Sequence, residues 1–248
     1  MRAVVLIGHG SLRPGAGAAM IRLAARVRAA GVAPIVEAGF LNYSRPTFAQ
    51  ALARCVARGA TEVVIQPYFL IAGVFANDDL PRLAAAWEAA HPGIRLRLAA
   101  PLGDHPALAG LVLKRAAEAT AGGPAGARGL ALMAHGSPDP AANGPVHAVA
   151  RRVAASGQYQ AVAVGFMDLN EPRIPAAIAA LVGQGMRQVV AVPYFLQLGG
   201  HVAEDLPRII GQAQQRHPEV PIVLAGHLGY DPLLAAVIAD RATAASAG

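Results

Sequence analysis

Two similar α/β lobes, each a small parallel sheet flanked by helices, are what this sequence encodes. Two observations carry that reading. The chain overlays on itself without a gap at a shift of 126 residues, with roughly 40 of about 115 positions identical, too many for chance over so long a segment. Within each copy, short apolar runs alternate with segments of helical spacing, the pattern of βαβ units. The period is too long for a solenoid, so the copies are expected as separate lobes: residues 1–118, a linker rich in Ala and Gly over 119–128, and residues 129–248.

In the first copy the strands are predicted at 3–8, 34–41, 62–70 and 95–100. In the second they fall at 130–134, 161–167, 188–196 and 222–225, each rich in Val, Ile, Leu or aromatics. His135-Gly136-Ser137 begins a loop that runs to Pro140. Residues 145–155 carry helical spacing, Glu171-Pro172 opens the next helix, Asp205 is placed as the N-cap of another, and residues 232–242 form the last.

Composition narrows the function. More than half of the 248 residues are hydrophobic and 15% are charged, which provides a core and excludes a disordered chain. Cys55 is the only cysteine, so a disulfide framework, a Cys-based zinc site and an iron–sulfur cluster held by this chain alone are excluded, and a cytoplasmic location is expected. The apolar start at residues 3–7 is broken by Gly8-His9-Gly10, too short for a signal peptide, and no apolar run is long enough for a membrane span. The net charge of +6 is almost wholly arginine, with Lys114 the single lysine. Scattered arginines and few aromatics argue against nucleic acid, whereas the guanidinium fork suits a ligand rich in carboxylates.

Ligands of open parallel sheets bind beyond the carboxyl ends of the strands. His135, Asp168 and His201 each follow a different predicted strand of the second copy and are expected on one rim. Two imidazoles and a carboxylate suit a borderline divalent ion and can move protons near neutral pH. The first copy is a built-in comparison: it keeps His9, but Asn42 replaces Asp168 and Phe75 replaces His201. The chemistry is therefore expected in the second copy. His227 follows the fourth strand and is a candidate pocket residue. Arg13, Arg45 and Arg173 fall in rim loops or helix starts, with Glu171 standing where the first copy has Arg45.

An apolar strand followed by His-Gly-Ser, then Pro-Tyr-Phe-Leu, then Gly-Gly-His201 with Asp205-Leu206-Pro207 beyond, resembles the sirohydrochlorin chelatases, class II enzymes that insert cobalt or iron into sirohydrochlorin on the routes to cobalamin and sirohaem. The resemblance covers nearly the whole chain in a two-copy form. It implies a chelatase fold with a cleft between the lobes, with His135 and His201 as metal ligands and Asp168 in place of the family's usual Glu. It implies no tightly bound cofactor, because the metal (Co²⁺ or Fe²⁺, with Ni²⁺ also accepted by such ligands) is a substrate. Asp168 is expected to orient an imidazole or to neutralise the cation. A carboxylate-rich tetrapyrrole fits His9, Arg13, Arg45, Arg173 and His227 as substrate contacts, and two fused lobes allow a monomer. Some two-copy relatives have the complete site in the first half; here it falls in the second. The alternative reading is a tetrapyrrole or metal carrier without turnover. A His-based phosphotransferase is disfavoured because Gly8 and Ala134, not Arg, precede the histidines.

Overall fold

Strand β1 (Arg2–Gly8) pairs in parallel with β2 (Ile35–Phe40) on one side and β3 (Glu62–Pro67) on the other, and β4 (Arg95–Leu98) extends the sheet beyond β3. The order β2-β1-β3-β4 makes the β1/β3 boundary the point where the chain changes direction across the sheet, the place where such sheets bind ligands. Helices α1 (Ala18–Ala29), α2 (Phe48–Ala57) and α3 (Leu80–Ala90) cover it, with a π-helical turn, Phe75–Asp79, leading into α3. This is a computed structural model, and it describes residues 1–12, 15, 17–120 and 126–247.

Local sequence accounts for these elements. Thr47 caps α2 by accepting from the Gln50 amide while Gln50 Oε1 accepts from the Thr47 amide, a reciprocal capping box. Phe48, Ala51, Leu52 and Cys55 then recur on one face of α2 and pack on Val5, Ile7, Val63 and Ile65 of the sheet. Burial pushes the Cys55 thiol up to about 12, so it is a core residue and not a reactive one.

The second half repeats the plan. Helix α4 (Pro106–Ala119) precedes β5 (Arg128–Ala134), α5 (Gly144–Ala155), β6 (Ala161–Phe166), α6 (Ile174–Gly183), β7 (Gln188–Pro193), the π-helical turn His201–Asp205, α7 (Leu206–Arg216), β8 (Ile222–Leu224) and α8 (Pro232–Ala247). The parallel order is β6-β5-β7-β8. Met133, Ile178, Leu181, Val189, Leu206 and Ile210 lie in its core. Among the described residues no helix is long and apolar enough to cross a membrane.

The compact units do not follow the sequence repeat. Unit 1 is Met1–Gly103 with Tyr230–Gly248, and unit 2 is Asp104–Gly229. Each copy's last helix packs on the other copy's sheet: α4 lies against α5 and β7, and α8 against α1 and β3. One arginine secures each exchange. Arg115 of α4 donates to the carbonyls of His227 (3.0 Å) and Leu228 (2.8 Å), and its repeat partner Arg241 of α8 donates to that of Leu102 (3.0 Å). Of the expected linker, residues 121–125 lie outside the described residues.

Smaller expectations also shift. Helix α6 begins at Ile174 with Pro175 in its first turn; Pro172, joined by a cis peptide, precedes it. Strand β7 ends at Pro193, short of the expected 196. Asp205 has helical dihedrals and makes no cap bond, because it is the last residue of the π-helical turn.

Candidate metal centre

His135 stands one residue beyond β5, at the β5/β7 switch point of unit 2. Its loop is fixed by a backbone latch to the loop after β6. The Met167 amide donates to the Ala134 carbonyl at 2.9 Å and the Asp168 amide to the His135 carbonyl at 3.1 Å. Asn170 Oδ1 accepts from the Ser137 amide at 2.7 Å and from Asn143 Nδ2 at 3.0 Å. The approach demands glycine after the histidine: Gly136 has φ +98°, and a Cβ there would lie 2.2 Å from the Asp168 carbonyl oxygen. Gly136→Ala is therefore expected to destabilise the protein by roughly 1–3 kcal/mol, read as a lowered unfolding midpoint in urea.

His201 opens the π-helical turn after β7. The rings of His135 and His201 lie with centroids 5.1 Å apart and planes at 62°. Ring centres 5.1 Å apart are close enough for two imidazoles to share one ion. In both rings Nδ1 faces an oxygen: the Gly136 carbonyl at 3.4 Å for His135, and Asp205 Oδ2 at 2.9 Å for His201. A proton on Nδ1 satisfies those acceptors and leaves Nε2 with its lone pair for a metal. The His201 side chain is about half exposed (51%), so an ion can reach it.

Asp205 is the residue that the sequence reading missed. Its carboxylate takes His201 on one oxygen and Arg208 (3.1 Å) on the other, and the His201 bond first, then Arg208, holds its pKa below the usual carboxylate value. Asp168, expected to orient an imidazole or to neutralise the cation, makes no hydrogen bond to either ring among the described residues; the carboxylate that bonds His201 is that of Asp205. Asp168 is engaged by Arg173 Nη1 at 3.0 Å and by the Leu169 amide at 2.9 Å, and these bonds lower its pKa. It contributes negative charge beside His135. Among the described residues no group of three His, Cys, Asp or Glu side chains is placed to hold an ion; the two imidazoles brought together here are His135 and His201.

The other expected residues divide. Arg173 is not a free guanidinium: it also bonds Glu171 Oε1 at 3.0 Å and the Met167 carbonyl at 3.1 Å. Arg45 is exposed on the rim of unit 1. Arg13 lies outside the described residues. In unit 1 His9 meets Phe75 edge-on, centroids 4.5 Å apart, in the positions that His135 and His201 take in unit 2.

His227 is partly buried beside Gly229, and no ring contact joins it to His135 or His201. Burial, then the Arg115 charge, lowers its pKa below the usual 6.5. The folded state thus prefers it neutral, and stability falls as pH drops from about 6.5 through the lower folded value. Replacing it by Gln is expected to flatten that part of a urea-unfolding pH profile.

Comparison with known proteins agrees with this architecture. The CbiX family model matches twice, at residues 3–119 and 129–245. A sirohydrochlorin cobaltochelatase of Priestia megaterium is 27% identical over 245 residues, covering 98% of this chain and 79% of its own. A sirohydrochlorin ferrochelatase of the same organism is 26% identical, covering 97% and 89%. The structure described as SirB from Bacillus subtilis with Fe3+ shares the fold, with a TM-score of 0.88 at 23% identity over 99% of this chain and 96% of that one. Both halves match one family model over nearly their full length, and the chain belongs to the CbiX family.

Proposed function

We propose that this protein is a sirohydrochlorin chelatase, inserting Co²⁺ or Fe²⁺ into the carboxylate-rich macrocycle in the synthesis of cobalamin or sirohaem. The observation that carries the proposal is the His135–His201 pair, two accessible imidazoles at ligand-sharing distance at the switch point of a sheet. The relatives named for cobalt and iron insertion into sirohydrochlorin supply the substrate.

Insertion replaces two ring N–H protons by one M²⁺, so the protein must deliver a partly dehydrated ion and remove two protons. Two neutral imidazoles bind a borderline ion firmly enough to strip water and weakly enough to surrender it, which thiolates would not do. His201, braced by Asp205, is the fixed ligand. His135, whose Nδ1 contact is longer, releases the ion first and accepts one ring proton through Nε2, and His201 Nε2, freed when the ion enters the ring, accepts the other; both pass to solvent. Asp168 offsets the cation's charge. His9 and Arg45 are substrate contacts on unit 1, whereas Arg173 acts by holding Asp168.

Purified protein offered sirohydrochlorin with Co²⁺, Fe²⁺ or Ni²⁺ in turn tests this through the change in ring absorbance. Catalysed insertion of cobalt or iron is expected. Stoichiometric binding of the ring with no acceleration would make the protein a carrier.

A further inference from the structure

We infer that the open edge of the second sheet, along β6, is the surface at which two copies of this chain pair, strand β6 against strand β6 in antiparallel. Strand β6 is an outer strand of its sheet, and its residues, Ala161-Val162-Ala163-Val164-Gly165-Phe166, carry no charge. The Phe166 amide turns away from β5 and donates to the Pro172 carbonyl at 2.9 Å. By alternation the N–H and C=O groups of Val164 and Val162 face the same way, and no strand among the described residues pairs with them. A groove of about 400 Å³ runs around this edge, with α5 on one side and α6 on the other. Its walls are low, because α5 presents Ala150 and Ala154 to it, and α6 presents Ala176 and Ala180, each pair one helical turn apart.

The repeat shows what closes such an edge. In unit 1 the matching outer strand is β2, where Glu37 stands in the place of Ala163 and accepts from Arg58 at 2.9 Å, with Arg54 4.0 Å away. Arg28, Gln50, Arg54 and Arg58 hold the positions of Ala154, Ala176, Ala180 and Gln184. Val36 and Ala38 of β2 are buried, whereas their counterparts Val162 and Val164 are only half-buried. The other two outer strands are blunted as well: β4 carries Arg95 and Arg97, and β8 has three residues. Charge and shortness are what keep strand edges from pairing, and among the described outer strands β6 alone has neither.

A second copy is the partner that fits. A two-fold axis through Ala163 sets Val162 of each copy opposite Val164 of the other, so the outward N–H and C=O groups of both residues find complements. Ala163 then faces its own copy at the closest spacing of an antiparallel pair, where a small side chain fits and a Glu, as in unit 1, would oppose its like charge. The same axis brings α5 to α5 and α6 to α6, and their alanines admit a close helix contact. One open edge per chain closes the assembly at two copies. Eleven residues line the groove, fewer than the roughly 20–30 a side of a standard interface, so a weak pair with a Kd of about 1–100 μM is expected. Each copy brings Arg151 and no carboxylate to the groove, so added salt should tighten the pair.

The test is sedimentation equilibrium of the full chain from about 1 μM to about 1 mM, with two variants that carry unit 1's residues into unit 2: Ala154→Arg, and the triple variant Ala163→Glu/Ala180→Arg/Gln184→Arg. A reversible monomer–dimer equilibrium is expected in the wild type, and a Kd raised about tenfold or more in each variant. Ala154 is exposed on α5, so its replacement leaves the fold intact, as circular dichroism and the unfolding midpoint will show. Should the triple variant fail to fold, Ala154→Arg decides alone. A wild type that stays monomeric over the whole range, assemblies larger than two, or a dimer whose Kd is unchanged in Ala154→Arg overturns the inference, and the function proposed above stands in each case.

Discussion

His201→Ala is expected to reduce metal insertion by more than about 100-fold, beyond the roughly 10- to 100-fold that loss of a supporting group costs a metal site. The ring is half exposed and lies outside the packed core of unit 2, so its removal leaves the fold intact. With one imidazole left and no third carboxylate, thiolate or imidazole in reach among the described residues, nothing takes its place. His135→Ala has the same consequence by the same logic. Insertion assays with sirohydrochlorin and Co²⁺, with the unfolding midpoint measured in parallel, separate loss of the ligand from loss of the protein.

Asp205→Asn is expected to raise the Kd for Co²⁺ by about 10- to 100-fold, through loss of charge and of a fixed His201 orientation. A carboxylate that accepts the Nδ1 proton raises the basicity of Nε2 and locks the ring, whereas an amide does so weakly and can flip. The repeat supplies the control. Asp79 bonds Arg82 at 3.0 Å just as Asp205 bonds Arg208, but has Phe75 where Asp205 has His201. The arginine pair therefore belongs to the shared scaffold, and the histidine bond is special to unit 2. Asp79→Asn should leave Co²⁺ affinity unchanged; an equal loss in both variants would mean that the scaffold pair matters and the histidine bond does not. The pH dependence has a definite sign. The folded pKa of Asp205 lies below the ordinary 3.8, so its contribution is complete above that value and is lost as pH falls through the lower one. Asn should remove that acid dependence.

The two-lobe architecture and the histidine pair were legible because the sequence contains its own comparison. His135 and His201 stand out against His9 and Phe75, and strand ends of parallel sheets predict where they meet. The role of Asp205 was hidden because Asp before Leu-Pro reads as a helix cap, and only the π-helical turn aims it at His201. The pairing of Arg173 with Asp168 and Glu171 was equally hidden, since an arginine in a rim loop looks free until the loop is folded. The exchange of α4 and α8 leaves no trace in the repeat, because either helix presents the same apolar face to either sheet. The packing of α4 on α5 and β7 and of α8 on α1 and β3 reveals it, with Arg115 and Arg241 reaching carbonyls more than 100 residues away.

Equilibrium dialysis of Co²⁺ against the wild-type protein, the His135→Ala/His201→Ala double variant and His9→Ala addresses the division between the units most directly. One ion per chain in the wild type, none in the double variant and one in His9→Ala is the predicted result. Two ions per chain, or an ion that survives loss of both second-unit imidazoles and disappears with His9, would contradict it.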